Sequence, residues 1–261
     1  MLDTRHKMQD PRRKMQDTRH KAKDPREMND IDVLYEDNHL IVVNKAVSDL
    51  VQGDRTGDIS LDQRIKEYIK KKYNKPGDVY LGVAHRLDRP VTGAVIFART
   101  SKALVRLNKM FQEQEIKKFY WAVVKDRPEM EEAELVNFLR RNPDKNKSFV
   151  SQTSKKDAKE ARMKYTLKGV TNNYYFLEVE LFTGRHHQIR CQLGHIGSPV
   201  KGDMKYGFPR SNKGGGIHLH ARQVTFIHPV KKELLTILAN PPREPLWDEF
   251  LLQAGDSPIK F

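Results

Sequence analysis

Apolar and polar positions alternate along this chain in short blocks, and the period of each block predicts its local structure. Val33-Leu34-Tyr35 and Leu40-Ile41-Val42-Val43 read as two strands around the polar turn Glu36-Asp37-Asn38-His39. Leu61, Ile65, Tyr68 and Ile69 recur at helical spacing with lysines opposite, which predicts a helix capped by Ser60 and running through Tyr73. Strands are expected over residues 79–84 and 93–98. Ala103, Leu104, Leu107, Met110 and Phe111 form one stripe of a helix over 101–114, so Met110 is core. The next strand, 117–124, has period two: Tyr120, Ala122 and Val124 share one face and Phe119, Trp121 and Val123 the other, so Tyr120 faces either a cleft or the core.

Further strands are expected over 135–139, 149–152, 161–168, 174–182, 222–227 and 233–238. Many strands with few helices imply an α+β domain around a large mixed, mostly antiparallel sheet, not a doubly wound fold. Residues 1–27 break the pattern. Asp3-Thr4-Arg5-His6-Lys7 returns as residues 17–21, and almost nothing apolar lies between the two copies. A segment with charges of both signs and nothing to bury cannot offset its ordering entropy, so it reads as a disordered basic tail ahead of a single domain over 31–255.

Composition narrows the function. The 261 residues are 38% hydrophobic, with no apolar run long enough to span a bilayer and no apolar centre of a secretory signal near the N-terminus, which points to the cytoplasm. Cys191 is the single cysteine, excluding an internal disulfide framework and zinc sites built from cysteine pairs. The net charge of +14 favours polyanionic partners, although a solvated basic face gives the same number.

Two stretches carry candidate chemistry. His85-Arg86-Leu87-Asp88-Arg89-Pro90-Val91-Thr92-Gly93 sets one carboxylate between two arginines, whose permanent charges favour its ionised, nucleophilic form. A bare ion pair on a turn has the same residues. Thr183-Gly184-Arg185-His186-His187-Gln188-Ile189-Arg190 ends a strand in a glycine turn and opens a helix to about His195, a start that favours anions. His218-x-His220 invites a metal reading, but no carboxylate or cysteine shares a ligand-like spacing with it and arginines crowd the neighbourhood. Gly214-Gly215-Gly216 lacks the Gly-Lys-Ser/Thr ending of a phosphate-binding loop.

With both stretches in view the chain resembles the RNA pseudouridine synthases of the RluA type. Residues 85–93 are similar to that family's catalytic loop, 117–124 to its Lys-x-Tyr-x-Ala-x-Val strand, and 183–190 to its Thr-Gly-Arg-x-His-Gln-Ile-Arg motif. The last likeness continues through residues 195–203 and Tyr206-Gly207, and Ile41 to Lys45 and Leu219-His220-Ala221 extend it over about residues 31–250. Two departures stand out: Ala46-Val47-Ser48 follows Asn44-Lys45 where many relatives have Pro-x-Gly, and Val91-Thr92-Gly93 replaces Thr-Ser-Gly.

The resemblance implies a pseudouridine synthase-like fold and an isomerase that needs no cofactor or metal. It implies ribosomal or transfer RNA as partner, with no membrane and no DNA, and a monomer. Asp88 matches the essential aspartate, a nucleophile or the base that begins ribose deprotonation. Arg190 matches the arginine paired with it, and Tyr120 the tyrosine that stacks on the target base. Arg86 matches the residue that holds open the position of the flipped nucleotide, although an ion pair with Asp88 is its structural alternative. Arg89, Arg185 and His187 are expected in RNA-positioning or structural roles. The competing class is an RNA-binding or ribosome-assembly protein that has lost catalysis on this scaffold, against which the joint presence of Asp88, Tyr120 and Arg190 argues. A hydrolase is the weaker rival, for want of a Gly-x-Ser-x-Gly elbow.

Overall fold

The computed structural model describes residues 31–53, 57–151 and 157–254, so the tail expected over 1–27 lies outside the described residues. Eleven strands form one sheet. In chain order the elements are β1 Val33–Glu36, β2 Leu40–Lys45, α1 Leu61–Lys72, β3 Gly82–Val83, β4 Thr92–Ala98, α2 Ser101–Gln112, β5 Lys117–Val124 and β6 Glu132–Asn142. There follow β7 Lys147–Ser151, β8 Ala158–Val170, β9 Tyr175–Leu181, α3 Gln188–His195, β10 Leu219–Ile227, β11 Leu234–Leu238 and α4 Pro245–Gln253. The main path runs β1-β2-β4-β10-β5-β9-β8-β6-β7, with β3 paired to β4 and β11 to β10. Only the β4–β10 pairing is parallel, so the sheet is mixed and mostly antiparallel, as the sequence implied.

Period-two alternation distributes the four helices over the two faces. On β2 and β4, Ile41, Val43, Val95 and Phe97 pack against Leu61, Ile65 and Ile69 of α1, while Leu40, Val42, Ala94 and Ile96 meet Ala103, Leu107 and Met110 of α2 on the opposite face. On β5 the split repeats: Tyr120, Ala122 and Val124 join Ile189 and Leu193 of α3, and Trp121 and Val123 join Trp247, Phe250 and Leu251 of α4. Each fully buried Leu, Ile or Phe contributes about 2 kcal/mol of transfer free energy. Starts are set by side chains: Thr100 accepts from the Ala103 amide at 3.2 Å, and the Gln63 side chain accepts from the Ser60 amide at 3.1 Å.

Three local expectations are corrected. The strand expected over 79–84 shrinks to Gly82–Val83: on one side the Ile96 amide that would continue the ladder donates instead to His85 Nε2 at 3.0 Å, and on the other β4 ends at Ala98, the partner of Gly82. Strand β10 begins at Leu219, three residues earlier than expected, since His220 and Ala221 pair with Thr92 and Gly93 of β4. Helix α4 had no counterpart in the expected elements: its nine residues are too few for a clear period, and burial against β5 and Phe176 holds it.

At the β4–β10 junction the two backbones approach closely. Gly93 has φ of 115°, and a Cβ there would lie 2.4 Å from the Ala221 carbonyl oxygen. No side chain fits, and the backbone conformation is one that L residues rarely adopt. Gly93→Ala is expected to destabilise the protein by about 3 kcal/mol or more in urea denaturation, and an unchanged midpoint would show that β4 and β10 separate freely.

Candidate active site

Beyond Val83 the chain leaves the sheet and carries Asp88 on a loop fixed at several points. The His85 ring anchors its start to β4 and packs 4.9 Å from the Phe111 ring, and Leu87 packs between the two clusters built on β4 and β5. A turn is closed by the Val91 amide donating to the Asp88 carbonyl at 3.0 Å. Lys45, 1% exposed, holds the far side: its ammonium donates to the carbonyls of Ala46, Arg89 and Val91 at 2.9, 3.1 and 2.7 Å. Burial pulls the Lys45 pKa down to about 8, while the carboxylates of Asp49 and Asp88 favour its charge. The departing segment 46–48 still serves this loop, since the Ser48 amide donates to the Arg89 carbonyl at 3.1 Å. On the opposite side the Ile217 amide donates to the Pro90 carbonyl at 3.0 Å.

The second stretch approaches from β9. Thr183 accepts from the Arg162 amide at 2.8 Å and donates to the Gln188 side-chain oxygen at 2.8 Å, which also receives the Arg185 amide at 3.0 Å. His187 is left-handed, with φ of 54°, and turns the chain into α3 so that Arg190 points back toward the loop. There Arg190 forms a fork on Asp203, Nε to Oδ2 at 2.6 Å and Nη2 to Oδ1 at 2.9 Å, and its remaining Nη1 donates to Asp88 Oδ2 at 2.8 Å. Burial opposes the Arg190 charge, and the two carboxylates more than offset that, raising its pKa.

His187 lies on the other side of the same carboxylate oxygen, Nε2 to Asp88 Oδ2 at 3.4 Å. Burial first, then the neighbouring Arg190 charge, pulls its pKa down to about 2, so the ring is neutral. The Ser148 amide donates to the Tyr206 hydroxyl oxygen at 2.8 Å, and that hydroxyl lies 2.9 Å from His187 Nδ1. With the phenol proton given to Nδ1, the N–H of His187 sits on Nε2 and faces Asp88.

Asp88, His187 and Arg190 line a pocket of about 720 Å³ between the end of α2 and the start of α3, over β5. Asp88 is its sole carboxylate, with a side chain 27% exposed. Tyr120 reaches in from β5 and also belongs to the core cluster, so the sheet gives it both surroundings between which its period could not choose. Its hydroxyl has no hydrogen-bond partner among the described residues, and burial together with the Asp88 charge raises its pKa, keeping it protonated.

Of the other residues singled out in the sequence, Arg86, Arg185 and His187 line the pocket. The arginines flanking Asp88 are not its ion-pair partners, which corrects the electrostatics read from the string alone. Arg89 turns away, donating to the Ser48 carbonyl at 3.1 Å and pairing with Asp58 at 2.9 Å, and is not part of the pocket lining. Arg86 is exposed and its guanidinium makes no ion pair among the described residues, so its structural alternative, a pair with Asp88, is not formed. Arg185 donates through Nε to the Glu160 carbonyl at 2.6 Å. His218 and His220 both pack on Trp247; His218 lies 2.9 Å from Glu244, and His220 lies between Thr92 and the Ala239 carbonyl at 2.8 and 2.9 Å. No group of three or more metal-ligating side chains occurs among the described residues. Sequence reasoning gave no role to Asp203 and Tyr206, whose only signal was the continuing motif, or to Lys45.

A half-buried carboxylate held by an arginine, with a protonated tyrosine in a basic pocket on a mixed sheet, defines an enzyme site for an anionic substrate. The comparisons give the family. A family model described as RNA pseudouridylate synthase matches residues 39–195. An uncharacterized RNA pseudouridine synthase of Synechocystis sp. is 32% identical over 215 residues, covering 81% of this chain; the chain spans 66% of that relative's length. The tRNA pseudouridine synthase C of Vibrio vulnificus is 30% identical over 228 residues, covering 80% of this chain and 90% of the relative. The ribosomal large subunit pseudouridine synthase C of Rickettsia prowazekii is 32% identical over 179 residues, covering 67% and 56%. The solved structure of human RNA pseudouridylate synthase domain containing 4 shares the fold, with a TM-score of 0.70 at 22% identity over 86% of this chain and 93% of that one. This chain therefore belongs to the RNA pseudouridylate synthase family, RluA type, and is an isomerase that converts uridine in RNA to pseudouridine.

The buried histidines give this fold a pH dependence. Burial lowers the pKa of His85 to about 3, of His220 to about 4 and of His187 to about 2, from 6.5. Below pH 6.5 the unfolded chain takes up protons that the folded chain refuses, so their contribution is complete above 6.5 and lost as pH falls toward those values. Between about pH 7.5 and 5.5 stability is expected to drop by about 4 kcal/mol for the three together. Urea midpoints at the two pH values measure it. A flat profile would mean that these rings protonate in the folded state.

Proposed function

We propose that this chain isomerises uridines in transfer or large-subunit ribosomal RNA, with Asp88 as the group that starts the reaction. The observation that carries the reading is the placement of Asp88 Oδ2 at 2.8 Å from Arg190, in a pocket that Tyr120 shares. The bond from ribose C1′ to uracil N1 breaks, the uracil turns and C5 bonds to C1′; C5 then loses its proton and N1 gains one, so the product is an isomer of the substrate. Asp88 acts as nucleophile, or as the base that begins ribose deprotonation. Arg190 fixes its direction, and the clamp on Asp203 keeps that guanidinium from following the substrate. The face of Tyr120 stacks on the uracil, and its protonated hydroxyl relays the C5 proton, giving up its own as it takes that one.

A base within a helix cannot meet Asp88, so the nucleotide must leave its stack, and exposed Arg86 at the pocket is suited to fill the place it leaves. Arg185 and His187 position RNA and carboxylate from the start of α3. Arg89, tied to Asp58, contributes outside the pocket. The charge of +14 supplies attraction to the phosphate backbone. Among the described residues no helix is long and apolar enough to cross a membrane, and the single cysteine, Cys191, is buried. The proposed setting is the cytoplasm, with the chain acting on RNA as a monomer and residues 31–255 as its catalytic domain.

Asp88→Asn keeps the shape and removes the charge. Tritium release from RNA labelled at uridine C5 is expected to fall to background, with affinity equal to the parent's or slightly higher, because a basic site has lost its anion. Release persisting in the variant would reject the role of Asp88. If the parent released none from transfer or ribosomal RNA, the alternative of an inactive binding protein would take its place. Affinity is also expected to fall by roughly tens of fold between about 50 and 200 mM salt. A salt-independent affinity in filter binding would overturn the phosphate-dominated interface.

A further inference from the structure

Two charged groups that line the pocket, Lys118 and Arg141, are used by none of these steps, and of the two only Lys118 is buried. Lys118 is 9% exposed, lines the pocket, and has no ion-pair or hydrogen-bond partner among the described residues. It lies two residues before Tyr120 on β5, on the same face and about 7 Å along the strand. Its Nζ is 6.0 Å from the centre of the Phe111 ring, and a Cβ at Gly184 would stand 4.0 Å from it, so the glycine leaves this side open. Burial alone lowers its pKa, and its charge acts in turn on the His85 ring at the start of the Asp88 loop. Isolating an ammonium in this way costs free energy unless something arrives to pair with it.

Resting on the function proposed above, we propose that Lys118 binds a backbone phosphate of the nucleotide that enters the pocket. The pocket holds one carboxylate, Asp88, already paired with Arg190, so no protein anion competes for Lys118. With the ribose at Asp88 and the uracil on Tyr120, the one permanently anionic part of the nucleotide is its phosphodiester. The neighbours Phe111 and Gly184 belong to the rim, where the RNA backbone passes: Phe111 is half-buried and Gly184 exposed. Phe111 limits water around the ammonium, which strengthens the contact relative to one on the open surface. Lys118 is in this sense a binding residue that sets how deeply the nucleotide seats, and it makes no bond to the reacting atoms.

The test compares the parent with Lys118→Met and Lys118→Arg on unmodified transfer and large-subunit ribosomal RNA transcripts. For Lys118→Met, KM is expected to rise about tenfold, more than kcat falls, and the slope of log affinity against log salt to flatten by about 0.7–0.9, the value of one phosphate contact. Lys118→Arg should restore both. The Met variant should melt no lower than the parent, because it removes an unpaired buried cation; a lower melting temperature with an unchanged salt slope would make Lys118 structural and overturn the proposal. A fall in kcat with KM and slope unchanged would also overturn it, placing Lys118 against the uracil. Filter binding reads the slope without turnover. An inactive parent would thus reject the proposed function while the Lys118 comparison still gave its own answer.

Discussion

The fork of Arg190 on Asp203 is the contact on which the rest of the site depends. A single guanidinium bonded at Nη1 to one carboxylate could follow that carboxylate wherever it moved. Here Nε and Nη2 are committed to Asp203, which is 1% exposed, so the third donor has a fixed direction before Asp88 meets it. A lysine could neutralise Asp88, but it has no planar array of donors with which to hold two carboxylates in defined directions. The cation faces the Tyr206 ring at 5.2 Å, so the same tyrosine that orients His187 also supports the arginine.

Asp88 needs a fixed direction because it sits on a loop, and loops alone hold positions loosely. The protein answers with main-chain contacts on every side. Lys45 from β2 binds three carbonyls, His85 takes an amide of β4, and Ile217, just before β10, donates to Pro90. Three neighbouring strands therefore hold one loop, and Gly93 lets β4 and β10 come close enough for them to do so. The fold and the site are coupled here, since packing of the sheet is also positioning of the carboxylate.

Charge is divided between structure and substrate. Arg190 and Arg89 are paired with carboxylates and hold the protein together, whereas Arg86 and Lys118 have no ion pair among the described residues and line the pocket. The histidines beside them are kept neutral by burial, so the site gains no further positive charge near neutral pH. A polyanion is drawn to the pocket by cations that the protein itself has not neutralised.

What the sequence determined was whatever depends on local period and on motif chemistry. Alternation on β5 set the faces of Tyr120 and Trp121, the stripe of α2 made Met110 core, and three spaced motifs singled out Asp88, Tyr120 and Arg190. The residues flanking Asp88 left its partner open, and only the family resemblance pointed to Arg190. The nearest charges along the chain, Arg86 and Arg89, suggested an ion pair, yet the bond is made by Arg190, 102 residues away. Local spacing cannot report such pairing, because a loop's side chains are aimed by whatever packs against it, and for Arg89 that is Ser48 and Asp58. Asp203, Tyr206 and Lys45 were illegible as functional groups for the same reason: each is an ordinary polar residue until burial removes water and leaves it one set of partners. The shortened β3 and helix α4 were likewise decided in three dimensions, one by a histidine competing for a ladder amide, the other by an aromatic face that only the assembled sheet provides.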